Sequence, residues 1–209
     1  MKKKYILLLM LLLIIIISIC LIYRNNDKED TDIKVKYPIY EYYKLNKVIT
    51  ENINYYLKDN TDNYYFLYID YKDYEYKEYI SIVLYISYFT GGAHPNYEIK
   101  TINYNKSTNK FIDIDDLINR DKDILNKLSI YSREYFSNND MFNDKVVFDM
   151  MIDGTKSIKD NYKYFNITSD GLIIYFNRYQ IAPYYYGDYS ITISYNYLNL
   201  SIWNILFIW

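Results

Sequence analysis

Glycine and proline are scarce in this chain, and most of them fall in two short segments. The 209 residues include five Gly, three Pro and one His. Residues 90–95 (TGGAHP) contain two Gly, one Pro and the His, and residues 179–187 (YQIAPYYYG) contain another Pro and another Gly. Gly permits backbone angles that are closed to other residues, and Pro fixes φ. These segments therefore predict two loops of defined shape, and we expect function to be concentrated there.

The N-terminal segment has the pattern of a membrane anchor. Met1–Lys4 is basic, the eighteen residues 6–23 are apolar except for Ser18, and residues 24–30 are polar and charged. At about 1.5 Å per residue the apolar run spans roughly 27 Å, just enough for a bilayer core. Because basic flanks stay in the cytoplasm, we expect a single-pass protein of the cell membrane with its C-terminal domain outside the cytoplasm. A cleaved signal peptide and a lipoprotein modified at Cys20 are the open alternatives.

The part predicted to lie outside the cytoplasm is acidic. Of the 24 Lys and Arg residues, four lie at the anchor (Lys2, Lys3, Lys4 and Arg24), which leaves 20 against 26 Asp and Glu, a formal charge of −6. Nucleic acid is excluded as a favoured partner, since phosphate contacts need a basic patch. A cationic extracellular partner would be attracted instead. The single Cys, Cys20, lies in the anchor, so the fold outside is expected to be held by its core.

Hydrophobic periodicity predicts an α+β fold, with antiparallel sheets and helices packed on one face. Ile33–Tyr37 alternates as a strand, and Pro38 favours an edge position for it. Asp115-Asp116 is expected to cap a helix, and Lys72–Glu78 to connect two strands. Strands are predicted at Tyr64–Tyr71, Tyr79–Phe89, Tyr97–Asn105, Lys110–Ile112, Tyr162–Thr168, Leu172–Asn177 and Tyr189–Tyr195, and helices at Glu41–Lys58, Ile124–Tyr135 and Val146–Ile152.

The predicted organisation has five parts. They are an anchor at 1–24, a tether at 25–34, an N-terminal α+β half at 35–105, a C-terminal α+β half at 106–197 and an apolar tail at 198–209. Within the tail, residues 202–209 are too few to span a bilayer. Docking of this segment on the core and insertion into the membrane interface are both open.

No residue pattern for catalysis, metal binding or a cofactor is present. His94 is the only His, so a His-based zinc site would need carboxylate ligands as well. A Ser-His-Asp triad could form only around His94, and the sequence contains no nucleophile elbow. Residues 107–110 (STNK) match an S-x-x-K string but fall in a predicted turn. The acidic residues within 113–123 lack the Gly and the closing Glu of an EF-hand; helix capping is their favoured role, and weak calcium binding outside the cell is the open alternative. We predict neither a metal nor a cofactor.

The two loops supply the candidate binding residues. Ala182-Pro183 favours an extended turn, three tyrosines follow it, and Gly187 permits a chain reversal. Tyr and Pro provide rigid contact area at low entropic cost, although tyrosines that fill the core beneath the loop are the open alternative. The candidate ligand-binding residues are Gly91, Gly92, His94, Pro95, Gln180, Pro183, Tyr184, Tyr185 and Gly187.

These segments resemble a bacterial family of extracytoplasmic domains of unknown function. Thr90–Asn96 followed by Asp115-Asp116-Leu117 resembles one motif, and Asp170–Phe176 followed by Tyr179–Tyr184 and Gly187 resembles the C-terminal signature. The family forms the outer domain of the RsiV anti-sigma factor, which senses lysozyme, and the non-catalytic part of PdaC-type peptidoglycan deacetylases. The likeness covers roughly residues 37–197. This chain differs from the family at three positions. Gln180 stands where the family usually has an acidic residue, and Tyr185 and Tyr186 stand where it usually has small residues.

The resemblance implies an RsiV-like, membrane-anchored binding module that recognises a cell-wall component or a lysozyme-like protein without catalysis. Only Met1–Lys4 precede the predicted anchor, and no deacetylase domain follows, so neither anti-sigma nor deacetylase activity is expected. Two alternatives stay open. One is a structural envelope protein with no ligand, and the other is a carboxylate-based hydrolase of cell-wall glycan that uses acids such as Glu98 or Asp188.

Overall fold

The computed structural model describes residues 15–16, 18, 31–58 and 64–200. Apart from residues 15, 16 and 18, the predicted anchor segment 6–23 lies outside the described residues, as do most of the tether and tail residues 201–209. Within the described ranges, no helix combines the length and apolar character needed to cross a membrane.

Between residues 31 and 200, the described part of the chain contains eight strands and six α-helices. In chain order they are β1 (Asp32–Val35), α1 (Tyr43–Leu57), β2 (Phe66–Tyr76), β3 (Tyr79–Phe89), β4 (Asn96–Asn105), β5 (Lys110–Phe111), α2 (Ile114–Arg120), α3 (Ile124–Ser137), α4 (Lys145–Gly154), α5 (Lys159–Tyr162), β6 (Phe165–Ile167), β7 (Leu172–Phe176), β8 (Tyr189–Ile193) and α6 (Tyr195–Leu198). Short 3-10 turns lie at Asp140–Asn143 and Tyr184–Tyr186. The predicted α+β class is confirmed.

The strands form two sheets. The large sheet has the order β1-β2-β3-β4-β5, and the small sheet has the order β6-β7-β8. Every pair is antiparallel except β1 and β2, which run parallel, so the prediction of a wholly antiparallel arrangement is wrong at this edge. Helix α1 separates β1 from β2 in the sequence, and a strand that follows a crossover helix can run in the same direction as its neighbour.

The hairpin of β2 and β3 is longer than predicted. Residues 72–76 continue β2, and only Lys77 and Glu78 connect the strands, with Lys77 at a φ of 53°. Tyr74 and Tyr76 pack against apolar side chains of the C-terminal half. The assignment of Lys72–Glu78 to a connection is therefore wrong, because the surface that covers these tyrosines comes from a distant part of the chain.

Each sheet has helices on one face, and the two sheets meet through the large sheet's other face. Leu45, Ile49 and Ile53 of α1 pack in one core with inward side chains of β2, β3 and β4. Helices α2 to α5 share a second core with β6, β7 and β8. A smaller apolar contact between the sheets joins Val83 and Ile99 to Tyr175. Each buried CH₂ group contributes about 0.8 kcal/mol to folding, so these cores are the main source of stability.

Polar side chains fix how the small sheet sits on the large one. The N–H of Phe165 donates to Thr101 Oγ1 (3.2 Å), and the N–H of Ile167 donates to Ser81 Oγ (3.0 Å). Asn103 Nδ2 donates to the Phe165 carbonyl at 2.9 Å. These bonds satisfy edge groups of β6 that would otherwise be buried without partners. They therefore favour one position of the small sheet over others.

The acidic cluster after β5 caps helix α2, as its composition predicted, but the cap residue differs. Asp113, rather than Asp115-Asp116, is the N-cap, and its side chain accepts from the backbone N–H groups of both later residues. The Asp116 carboxylate accepts from the Asp113 N–H in return, at 2.9 Å. This reciprocal pair satisfies donors at the start of the helix.

Candidate ligand-binding site

The two Gly- and Pro-containing loops lie against each other. The His94 ring stacks on the Tyr184 ring with centroids 3.8 Å apart and planes at 24°. The Tyr184 hydroxyl donates to the Pro95 carbonyl (2.8 Å), and the Tyr179 hydroxyl lies 3.2 Å from His94 Nε2. Residues up to 89 positions apart in the sequence thus form one continuous surface. We call it the loop-pair surface, formed by His94, Pro95, Tyr179 and Tyr184.

Backbone angles explain where the glycines of these loops are needed. Gly91 and Gly92 have φ of 100° and 112°, and Gly187 has φ of 84° directly after the 3-10 turn. L-residues rarely adopt such angles, so these glycines allow the reversals. Tyr179 adopts a positive φ of 65° without being Gly, which costs about 1–2 kcal/mol. Its ring contacts with His94 and Tyr184 help to hold that conformation.

The tyrosine-rich loop is partly core and partly surface. Ile181 and Ala182 are buried, Tyr186 packs against the core, and Pro183 is half-buried. Tyr185 is 73% exposed and Tyr179 is 56% exposed. A hydrogen bond with Tyr186 raises the pKa of Tyr185 above its ordinary value. The loop therefore anchors itself through its aliphatic residues and leaves tyrosine surface available for contact.

Gln180 supports the loop from within and does not face outward. Its Nε2 donates to the carbonyls of Gly154 and Asn161, both at 3.0 Å, and its Oε1 accepts from the Asn177 N–H at 3.2 Å. Both amide donors and the carbonyl oxygen are engaged within the protein. The side chain thus ties the loop to α4 and α5, and the ligand-binding role of Gln180 stays a prediction.

Arg178 belongs to the site and was missed by the sequence analysis. Its guanidinium carbon lies 3.6 Å from the centroid of the Tyr97 ring and 4.6 Å from that of Tyr184. The Asp188 carboxylate accepts from the Arg178 backbone N–H (3.0 Å) and approaches its Nε at 3.6 Å. Such stacking of a cation on aromatic faces is favourable. A single Arg that forms no sequence motif with its neighbours gives no signal in the sequence, so only the folded structure identifies Arg178 as part of the site.

A groove of about 310 Å³ opens beside the loop-pair surface. Strand register explains its walls: Ser87 pairs with both Tyr68 and Tyr97, and Asp70 pairs with Tyr85, so these side chains share one sheet face. This is the face opposite α1, at the end that the small sheet leaves open. The lining includes Tyr68, Asp70, Tyr85, Tyr97, Arg178 and Asp188, and we call it the sheet groove.

The carboxylates of the two acids named for a hydrolase have separate partners, although both residues line the sheet groove. The Glu98 carboxylate accepts from the hydroxyls of Tyr56 (2.6 Å) and Tyr88 (2.9 Å), on the side of the sheet that α1 covers. Burial, with the adjacent Glu98, raises the pKa of Tyr88 to about 12. Asp188 lies at the sheet groove with Arg178. In the described ranges, no group of three or more His, Cys, Asp and Glu is placed to hold a metal ion.

Comparisons with known proteins identify relatives of this chain. Residues 115–196 match a family model described as a protein of unknown function, DUF3298. The chain is 31% identical to the peptidoglycan-N-acetylmuramic acid deacetylase PdaC of Bacillus subtilis (strain 168), in an alignment that covers 81% of this chain. It spans 38% of that protein's length. The resemblance inferred from the loop motifs is confirmed, although the family match itself includes only the second loop.

The fold also matches that of a solved structure. A DUF3298 family protein of Pseudomonas aeruginosa PAO1 aligns with a TM-score of 0.62 at 17% identity, over 81% of this chain and 83% of that one. At this level of identity the likeness concerns the fold alone. It extends beyond residues 115–196, so the large sheet and the small sheet together correspond to an architecture already seen in the family.

Proposed function

We propose that this chain, whose residues 115–196 match the DUF3298 family model, is a non-catalytic module that binds peptidoglycan. The observation that carries the proposal is the loop-pair surface, where a His94–Tyr184 stack holds two separate loops together and leaves Tyr179 and Tyr185 exposed. Aromatic side chains of this kind provide large contact area, and little conformational entropy is lost when they are already held in place.

The relative PdaC supports the choice of ligand. Its name describes an enzyme that acts on peptidoglycan, and the chain aligns with a region equal to 38% of its length. A region that holds the polymer would assist an enzyme that must act on an insoluble substrate. We carry over binding and not deacetylation, because the name of the relative describes the whole enzyme, and this chain spans only 38% of its length.

The predicted location agrees with this ligand. If residues 6–23 anchor the chain and the acidic part lies outside the cytoplasm, the loop-pair surface would face the cell wall. A second candidate is a cationic, lysozyme-like protein, which the formal charge of −6 on that part favours. Charge alone would attract many basic proteins, whereas the loop-pair surface is a localised feature that can select one ligand. We therefore propose peptidoglycan as the preferred ligand.

Co-sedimentation with purified cell-wall sacculi tests the proposal. The full chain, kept in detergent, is expected to sediment with sacculi. Tyr185→Ala should reduce the bound fraction, because it removes the most exposed tyrosine of the loop, and Tyr184→Ala should reduce it further by also removing the stack on His94. Tyr43→Ala is the matched control, since Tyr43 is a similarly accessible tyrosine (79% exposed) on α1, outside both loops.

The outcomes separate the candidates. Sedimentation of the wild-type chain with loss in both loop variants supports the module. Binding to lysozyme in solution without binding to sacculi would favour the cationic protein instead. Absence of binding to either would leave a structural envelope protein as the better account, and release of sugar fragments from sacculi by the chain would favour a hydrolase.

A further inference from the structure

The sheet groove is a second contact region next to the loop-pair surface. Its floor comes from three neighbouring strands of the large sheet, and one wall comes from the segment that joins β7 to β8. Arg178 connects the two regions, since its guanidinium lies over Tyr97 in the groove and over Tyr184 in the loop. A chain of ligand units could therefore contact both without interruption.

Aromatic side chains give the groove its apolar surface. Tyr85 is 40% exposed, and the rings of Tyr68 and Tyr97 also face the opening. Phe66 stacks on Tyr68 with centroids 4.8 Å apart and extends the aromatic strip along β2. Flat ring faces of this kind suit the C–H face of a pyranose ring, which is apolar while its edges carry hydroxyl groups. A lipid chain would need a longer and drier channel than this open groove.

The polar groups of the groove nearly cancel in charge. Asp188 pairs with Arg178, and Asp70 lies 3.7 Å from Lys36 Nζ at the rim. Two carboxylates with two cations leave no excess charge to attract a polyanion or a polycation. Carboxylate oxygens accept hydrogen bonds from hydroxyl groups, and the guanidinium donates them. The chemistry thus favours a neutral ligand rich in hydroxyl and amide groups.

One donor in this wall lacks a hydrogen-bond acceptor among the residues that the structure describes. Arg178 Nε is buried and makes no hydrogen bond to any residue that the structure describes, because the Asp188 carboxylate stands 3.6 Å away. A buried donor without a partner is unfavourable and normally finds an acceptor. A small rearrangement around a ligand carbonyl oxygen, such as that of an acetamido group, would supply one.

We infer that the sheet groove binds one neutral N-acetylhexosamine ring of a glycan, stacked on its tyrosines and hydrogen-bonded by Asp70, Arg178 and Asp188. The inference rests on the proposed function, which it deepens by naming the part of peptidoglycan that is recognised. A volume of about 310 Å³ is at the lower end of the range of ligand pockets, which start near 300 Å³, and it therefore fits a single ring.

Calorimetric titration of the full chain in detergent tests the inference with a defined probe. The probe is the trimer of N-acetylglucosamine, and the comparison probe is the same trimer after removal of its acetyl groups. We expect the acetylated trimer to bind more tightly. Tyr85→Ala should weaken its binding by about tenfold, because it removes a central aromatic contact of the groove. Asp188→Asn should also weaken binding, by disturbing the position of Arg178.

Tyr43→Ala is the matched control, because Tyr43 is 79% exposed on α1 and the sheet groove lies on the opposite sheet face. Equal affinity of Tyr85→Ala and the wild-type chain for the trimer, or no binding of the trimer at all, would overturn the inference. Sacculi binding that survives Tyr85→Ala but is lost in Tyr185→Ala would retain the proposed function and reject the groove. Binding of the trimer without binding to sacculi would retain the groove as a sugar site and reject the proposed function.

Discussion

Gly154→Ala should destabilise the protein, although alanine is the better helix former. Gly154 is the last residue of α4, and its carbonyl accepts from the Gln180 side chain. A Cβ atom at this position would lie 1.9 Å from the Gln180 carbonyl oxygen and 2.8 Å from Cγ2 of Ile181. The substitution therefore pushes on the backbone of the loop that carries Tyr184.

Two opposing effects decide the size of the change. Replacing Gly by Ala within a helix gains up to about 1 kcal/mol, and less at a helix end. Overpacking against backbone costs about 1–3 kcal/mol, and displacement of Gln180 weakens two amide hydrogen bonds worth about 1 kcal/mol each. The clash wins, and we expect a net loss of about 2–3 kcal/mol in the free energy of unfolding.

Urea unfolding followed by circular dichroism gives the measurement, and sacculi binding gives a second readout. Val146→Ala is the control, because Val146 is exposed on the same helix and tests helix propensity without a clash. We expect Gly154→Ala to lower both stability and binding. A variant that is more stable than the wild-type chain by about 1 kcal/mol would refute the reasoning, since propensity alone would then describe the site.

Three further substitutions test other parts of the fold. The hydrogen bond from Lys127, at 2.6 Å, lowers the pKa of Asp121 below its ordinary value of 3.8. The ionised Asp121 therefore stabilises the fold at neutral pH, and this stabilisation is lost as the pH falls through the pKa of the folded state. Asp121→Asn should cost about 1 kcal/mol at pH 7 and little near pH 2. Burial raises the pKa of Tyr162 to about 12, and its hydroxyl donates to the Thr155 carbonyl. Because folding favours the neutral phenol, this stabilisation is present below pH 10 and is lost as the pH rises towards 12. Tyr162→Phe should lower the free energy of unfolding by about 1 kcal/mol at pH 7, and the variant should lose less stability than the wild-type chain between pH 10 and pH 12. Asn166→Ala removes a buried amide that bridges the sheets and should cost about 2–3 kcal/mol by urea unfolding.

Each of these predictions has an outcome that contradicts it. An Asp121→Asn variant whose deficit is the same at pH 7 and pH 2 would show that the ion pair is not the cause. A Tyr162→Phe variant with the wild-type alkaline profile would assign the alkaline loss to other tyrosines. An Asn166→Ala variant of unchanged stability would mean that the bonds between the sheets contribute little.

Elements with a strong local pattern were predicted close to their observed bounds. The 3.6-residue spacing of Leu45, Ile49 and Ile53 identified α1, predicted at 41–58 and observed at 43–57. Asp170-Gly171 marked the turn between β6 and β7, and the two strands pair across it. Lys110-Phe111 pairs with β4 as expected. In these cases the residues that decide the structure are neighbours in the sequence.

Features that depend on distant partners were not predictable in the same way. Residues 72–76 look like a charged connection, yet they continue β2 because the C-terminal half covers Tyr74 and Tyr76. Gly154 gives no sign in the sequence that Gln180 lies against it. Gln180 was predicted as a ligand-binding residue of the second loop, and no local pattern indicated that its amide bonds to the carbonyls of Gly154 and Asn161.

The sequence by itself determined which glycines could make the unusual turns and where most of the helices and strands lie. Angles such as the φ of 84° at Gly187 follow from residue type, and periodicity follows from one face being buried. Only the tertiary structure brought His94 onto Tyr184, placed Arg178 over Tyr97, and gave Glu98 and Asp188 separate partners. Those contacts join residues far apart in the chain, and they depend on strand register and on how two sheets pack, which no local pattern records.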